Sequence, residues 1–119
     1  MKIVYASRTG NVEAFVEKLG YKDVFRIDVD GDKVDDKYVL ITYTDGYGDV
    51  PEEVLNFLDG NSENLVAVAA SGDQGYGDAF CGSANVISEQ YNVPILVKFE
   101  FDGTDEDVQK FKEEFEKLN

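Results

Sequence analysis

The chain has 119 residues, few enough for one domain, and 43% of them are hydrophobic, enough for a real core. Its net charge is −14, from 25 acids against 11 bases. Binding to nucleic acid or to an anionic membrane surface needs clustered Lys and Arg, so both classes are disfavoured; the acidity suits a basic protein partner, or serves only to keep a small protein soluble.

No apolar run reaches the roughly 18 residues of a membrane span. Met1-Lys2-Ile3 enters a strand directly and leaves no room for a signal peptide. The single cysteine, Cys81, has no internal disulfide partner. Together these point to the cytoplasm.

The first strand is read at Lys2 to Ala6, and it ends in Ser7-Arg8-Thr9-Gly10-Asn11. Val12, Phe15, Val16 and Leu19 follow at helical spacing, so a helix runs from Asn11 to Leu19 and stops at Gly20. A strand–loop–helix of this kind presents unpaired N–H groups to an anion, with the helix dipole behind them. Ser7 to Asn11 reads as a phosphate cradle; the same residue types are also preferred caps, and on this stretch alone the two readings stay open.

Val24 to Ile27 forms a short edge strand. Asp28 to Lys37 is an acidic connector whose Asp28-x-Asp30-Gly31-Asp32 resembles a calcium loop. The glycine and glutamate positions that such a loop requires are wrong, so no metal site is expected. Tyr38 to Tyr43 is an apolar strand fit for the middle of a parallel sheet. It runs into Thr44-Asp45-Gly46-Tyr47-Gly48-Asp49-Val50-Pro51, and Pro51 opens a second helix with Val54, Leu55 and Leu58 as its buried face, ended by Asp59-Gly60-Asn61.

Leu65 to Ala70 is another buried strand, and it empties into Ser71-Gly72-Asp73-Gln74-Gly75-Tyr76-Gly77-Asp78. A third helix carries Phe80, Ala84, Ile87 and Tyr91. Pro94 opens the last strand, in which Ile95, Val97, Phe99 and Phe101 alternate with Lys98 and Glu100, as at a sheet edge. Thr104-x-x-Asp107 is a capping-box start for a last helix that buries Val108, Phe111, Phe115 and Leu118.

Alternation of strands and helices predicts an α/β fold, a doubly wound parallel sheet with helices on both faces. Ligands bind such sheets beyond the carboxyl ends of the strands. The loops 7–11, 44–50 and 71–78 all leave carboxyl ends. The last two share Gly-Tyr-Gly-Asp, at 46–49 and 75–78. Tyrosine offers a flat face and glycine lets backbone approach a planar ligand. A ligand with a phosphate at one end and an aromatic ring at the other fits all three. Cys81 has no histidine to activate it and reads as a packing or ligand-contact thiol. Ser7 and Arg8 stand where a receiver domain needs acids, which excludes that class.

The layout resembles the flavodoxin fold, a three-layer sandwich whose five-stranded sheet has the order 2-1-3-4-5. Ser7-Arg8-Thr9-Gly10-Asn11 resembles its phosphate loop, Ser/Thr-x-Thr-Gly-x-Thr, with Val12 where that pattern ends in Thr. The chain is more closely similar to the NrdI family, which serves class Ib ribonucleotide reductase. The matching pieces are Ser7-x-Thr9-Gly10-Asn11; Thr42 to Gly48; Ala70-Ser71-Gly72 through Phe80-Cys81; and Val93-Pro94 to Phe99-Glu100 with Gly103-Thr104.

The resemblance implies one FMN-binding domain over residues 1–119. Ser7, Arg8, Thr9, Gly10, Asn11 and Val12 would surround the phosphate. Tyr43, Thr44, Asp45, Gly46, Tyr47 and Gly48 would border the isoalloxazine ring. Ser71, Gly72, Asp73, Tyr76, Gly77, Asp78, Phe80 and Cys81 would close its other side. Arg8 is the one base near the phosphate in sequence, and the Asp45–Gly46 peptide is the candidate to turn its carbonyl inward on reduction. Asp45, Asp49, Asp73 and Asp78 would oppose negative charge on a reduced ring.

The implied function is a flavoprotein activator, distinct from a conventional turnover enzyme. Its reduced FMN would react with O2 and pass superoxide or peroxide to the dimanganese small subunit of the reductase, with an unidentified reductant upstream. A plain one-electron carrier and a phosphate-ligand binding module without redox work are the alternatives.

Overall fold

Parallel strands need cover on both faces, and the central strands of this sheet have it. The computed structural model describes residues 1–27 and 33–118; residues 28–32 of the acidic connector, with the rejected calcium pattern, lie outside the described residues. The strands are β1 (Lys2–Tyr5), β2 (Val24–Arg26), β3 (Tyr38–Thr42), β4 (Leu65–Gly72) and β5 (Ile95–Glu100). They form one sheet in the order β2-β1-β3-β4-β5, all neighbours parallel. This is the order expected from the flavodoxin resemblance. The helices are α1 (Asn11–Leu19), α2 (Glu52–Asn61), α3 (Gly82–Tyr91) and α4 (Asp105–Glu116). None is long and apolar enough to cross a membrane.

Alternate residues of β1, β3 and β4 feed two cores. Ile3, Val39, Ile41, Ala67 and Ala69 meet Val12, Phe15 and Val16 of α1 and Phe111 and Phe115 of α4. Val4, Leu40, Val68 and Ala70 meet Val54, Phe57 and Leu58 of α2 and Ala84 and Ile87 of α3. The first core is built on an aromatic column: Phe15 stacks on Phe99 with ring centroids 3.9 Å apart, and Phe111 meets Phe15 edge-on. α1 ends at Gly20 in the left-handed conformation (φ 73°). α4 starts with the expected capping box, Thr104 accepting from the Asp107 N–H and Asp107 from the Thr104 N–H.

Several expectations are corrected. In α2 it is Phe57 that is buried with Val54 and Leu58, while Leu55 is 45% exposed; residues 54, 57, 58 and 61 follow the helical stripe that 55 leaves. α2 ends at Asn61, as expected, and a 3-10 turn, Ser62–Asn64, follows it; the Asn61 side chain is turned inward, accepting from the Val34 N–H and donating to the Phe57 carbonyl. The third loop is shorter than read, since Ser71 and Gly72 belong to β4 and Gln74–Ala79 form 3-10 turns.

In β5 the alternation breaks. Val68 pairs with Ile95 and Ala70 with Lys98, so two residues of β4 span three of β5. That bulge inverts the faces: Leu96 and Phe99 are buried together, and Phe101 lies beyond the strand, exposed.

The α2 correction is tested by two alanine variants. Leu58→Ala is expected to cost about 2–5 kcal/mol in urea unfolding, and Leu55→Ala under about 1 kcal/mol. Equal losses would return Leu55 to the core.

Candidate functional site

The first loop does not cap α1 in the ordinary way. Gly10 is the N-cap residue, at φ 93°, and has no side chain with which to cap the helix. Ser7 Oγ accepts from the Glu13 N–H at 3.2 Å. Among the described residues, the Thr9 and Gly10 N–H groups find no acceptor. Both readings of the loop therefore hold in part: Ser7 caps one N–H of the first turn, and the Thr9 and Gly10 N–H groups remain open to an anion. An anion at this end of α1 would meet bare N–H groups and the positive end of the dipole.

The second loop is a tight hairpin. Asp45 and Asp49 exchange both backbone hydrogen bonds, at 2.9 and 2.8 Å. The turn needs positive φ at Gly46 (44°) and Gly48 (87°). Thr44 fastens this hairpin to its neighbours, its hydroxyl donating to the Ser71 carbonyl at 2.9 Å and lying 2.8 Å from Ser83 Oγ. Gly48 lies against Gly82 at the start of α3, so close that a Cβ on Gly82 would sit 2.7 Å from the Gly48 Cα. The third loop is shaped by Asp73, whose carboxylate accepts from the Gly75 N–H at 2.8 Å.

These loops enclose one cavity of about 160 Å³. From the first loop it takes Ser7, Arg8, Thr9, Asn11 and Val12, and from the second Tyr43, Thr44 and Gly46. From the third region come Ser71, Gly72, Asp73, Tyr76 and Cys81. The remaining predicted residues stand just outside. Gly10 is the N-cap, and Gly48 packs on Gly82. Asp45 turns to Arg8, their atoms 3.0 Å apart. Gly77, at φ 58°, forms the kink between the 3-10 turns. Asp78 is exposed, and Phe80 packs against the α2–α3 core. Tyr47 is 78% exposed and meets Tyr76 edge-on across the mouth, ring centroids 5.3 Å apart.

Residues 3–113 match the family model described as NrdI Flavodoxin like. The chain belongs to this family. It is 45% identical over 118 residues to Protein NrdI of Bacillus licheniformis, covering 99% of this chain and 89% of that one. It is 40% identical over 119 residues to Protein NrdI of Macrococcus caseolyticus, covering 100% and 92%. Among solved structures it resembles a short-chain flavodoxin associated with a bacterial microcompartment, with a TM-score of 0.74, 27% identity, and 98% and 96% of the two chains covered. Oxidised Flavodoxin 1 from Bacillus cereus shares the fold, with a TM-score of 0.70, 24% identity, and 98% and 97% covered.

This NrdI-family chain adds cavity residues that sequence reading misses. Ala79 and Phe101 both line it. Alanine carries no chemical signal, and Phe101 reads as one more apolar strand position. Arg26 is a second base near the cradle, donating to the Ser7 carbonyl at 2.9 Å and paired with Glu13. It arrives from the neighbouring strand, so sequence distance conceals it. Arg8 lines the cavity with its guanidinium over the Tyr43 ring at 4.9 Å and bonded to Asp45. The Asp45 hydrogen bond, then its charge, raises the guanidinium pKa. Burial, then the hydrogen bond to Glu53, pushes the Tyr43 phenol up to about 12.

Cys81 is fully buried, with its thiol directed to the Ala70 and Phe99 carbonyls at 3.3 and 3.6 Å. Burial pushes the thiol up to about 12, from an ordinary value of 9.0. At neutral pH it is a neutral, weakly donating group. The folded state therefore favours the proton, and the stabilisation is complete below the unfolded pKa and lost as pH rises towards the folded one. Two outcomes are expected. A chromogenic disulfide reagent should leave Cys81 unmodified in the native protein at pH 8 and label it fully in denaturant. Urea stability should fall as pH is raised above about 9, and less so in Cys81→Ala.

Proposed function

We propose that this chain binds FMN in the cavity and, once reduced, supplies an oxidant for cofactor assembly in the small subunit of a class Ib ribonucleotide reductase. The observation that carries the reading is the meeting, in one cavity, of a helix N-terminus preceded by open N–H groups with two glycine-flanked tyrosine segments. Membership of the NrdI family supports the partner.

The residues present fit the cofactor. The N–H groups around Thr9 and Gly10, with the Ser7, Thr9 and Asn11 side chains, would hold the phosphate. Arg8 would contribute charge at a distance, since Asp45 holds its guanidinium. Tyr43, Thr44 and Gly46 on one side, and Ser71, Gly72, Asp73, Tyr76 and Cys81 on the other, would border the ring. Asp45, Gly48, Gly77 and Phe80 would act behind them by shaping the loops, and Tyr47 would cover the mouth with Tyr76. The buried Cys81 would serve as a neutral wall.

When bound and reduced, a flavin supplies electrons to O2, giving the superoxide or peroxide that a dimanganese centre needs to form a tyrosyl radical. The chain's part is to bind, orient and tune. The hairpin is built to resist disturbance: the Asp45 carbonyl is held by the Asp49 N–H, and the Gly46 N–H lies 3.1 Å from Asp45 Oδ1. Turning the Asp45–Gly46 peptide to aim that carbonyl into the cavity would give up both bonds, about 1 kcal/mol each. Gly46 makes the turn sterically free. The Asp45, Asp49, Asp73 and Asp78 carboxylates would disfavour negative charge in the cavity.

A one-electron carrier is the second reading, favoured by the likeness to a short-chain flavodoxin. The purified chain is expected to be yellow and to bind FMN at least about tenfold more tightly than riboflavin, which lacks the phosphate. Reduced protein exposed to O2 should activate a manganese-loaded cognate small subunit. Binding without activation leaves the carrier reading. A colourless protein that takes up no FMN at micromolar concentration removes both.

A further inference from the structure

Phe101 is a turn residue in a conformation that suits glycine. Its φ is 54°, which crowds Cβ of an L residue against the following carbonyl. Core packing does not account for it, since the residue is 49% exposed. The surroundings hold it in place from both sides. Its N–H donates to the Gly72 carbonyl at 3.1 Å, and its carbonyl accepts from the Ser71 hydroxyl at 2.5 Å. The next residues are tied as well. Lys18 Nζ donates to the Asp102 and Gly103 carbonyls at 3.2 and 2.9 Å. Gly103 is pressed on Phe15, where a Cβ would sit 2.6 Å from the ring.

Backbone strain that persists because its surroundings over-determine it gathers at ligand sites. Phe101 lines the cavity, and so does Cys81, which also has positive φ, at 52°. The Phe101 backbone contacts run to Ser71 and Gly72, which line the same cavity.

We propose that Phe101 is a ligand-contact residue, its ring held at the cavity as an apolar wall for the flat heterocycle of an aromatic ligand. The inference rests on the flavin reading and adds to it a contact from the β5–α4 turn, outside the three glycine loops. A half-exposed aromatic ring in a strained turn gains its partner when such a ligand closes on it.

The test uses the full chain, titrated with FMN and with riboflavin, as wild type, Phe101→Ala and Phe101→Gly. Melting temperatures of the flavin-free proteins are measured alongside. Both variants are expected to weaken FMN and riboflavin by the same factor, roughly 3- to 10-fold. Phe101→Gly is expected to melt a few degrees above Phe101→Ala, the reverse of the usual order of these residues. Affinities within about twofold of wild type for both flavins would overturn the proposal. So would a loss confined to FMN, which would place the effect at the phosphate. Phe101→Ala melting above Phe101→Gly would remove the strain and overturn it too. Wild-type protein that binds neither flavin would sink the flavin reading and this proposal together, whereas wild-type binding with unaffected variants sinks this proposal alone.

Discussion

The hydroxyl of Thr44 ties the site together. It satisfies the Ser71 carbonyl at the end of β4 and meets the Ser83 hydroxyl in the first turn of α3. A buried carbonyl left without a donor costs about 1–3 kcal/mol, so the bond fixes where the second loop lies against the third. It forms because β3 and β4 are parallel neighbours, with Thr42 opposite Ala70, and so release their chains at the same edge. The Gly48–Gly82 contact then sets the same spacing through backbone alone. Cavity geometry is thus a product of the sheet's own requirements.

Much of the fold was legible because it rests on local periodicity. The α1 stripe, the uniform apolar runs of β3 and β4, and the Thr104–Asp107 capping box each obey a rule that a short window contains. The cavity was legible for a topological reason. In a doubly wound sheet, polar glycine loops after parallel strands converge whatever their sequence separation. The features that escaped depend on partners. The β5 bulge is a mismatch in residue count against β4, and nothing within Ile95–Phe101 records it. Phe101 escaped with it, since an alternating pattern assigns it to a strand that ends before it. Arg26 reaches the cradle through β1–β2 pairing. Leu55 is different: the stripe of 54, 57, 58 and 61 is present in the sequence, and Leu55 stands one residue off it.

The charge distribution separates two roles for acidic residues. Asp45, Asp73 and Asp107 each accept a backbone N–H and shape a turn or helix start. Others, such as Asp78, Asp105 and Glu106, face solvent. Overall acidity and loop architecture are therefore partly the same fact, and the net charge of −14 is not solely a matter of solubility.

The Phe15–Phe99 stack has a consequence for how the molecule tolerates change. Phe15 belongs to the helix whose first turn forms the cradle, and Phe99 lies two positions ahead of the turn at the opposite wall. One pair of rings, deep in the interior, acts as a ruler between the two ends of the ligand space. A smaller ring at either position would leave topology intact yet miscalibrate the grip. Interior drift at this column is therefore felt in recognition as well as in stability, since both rings are fully buried.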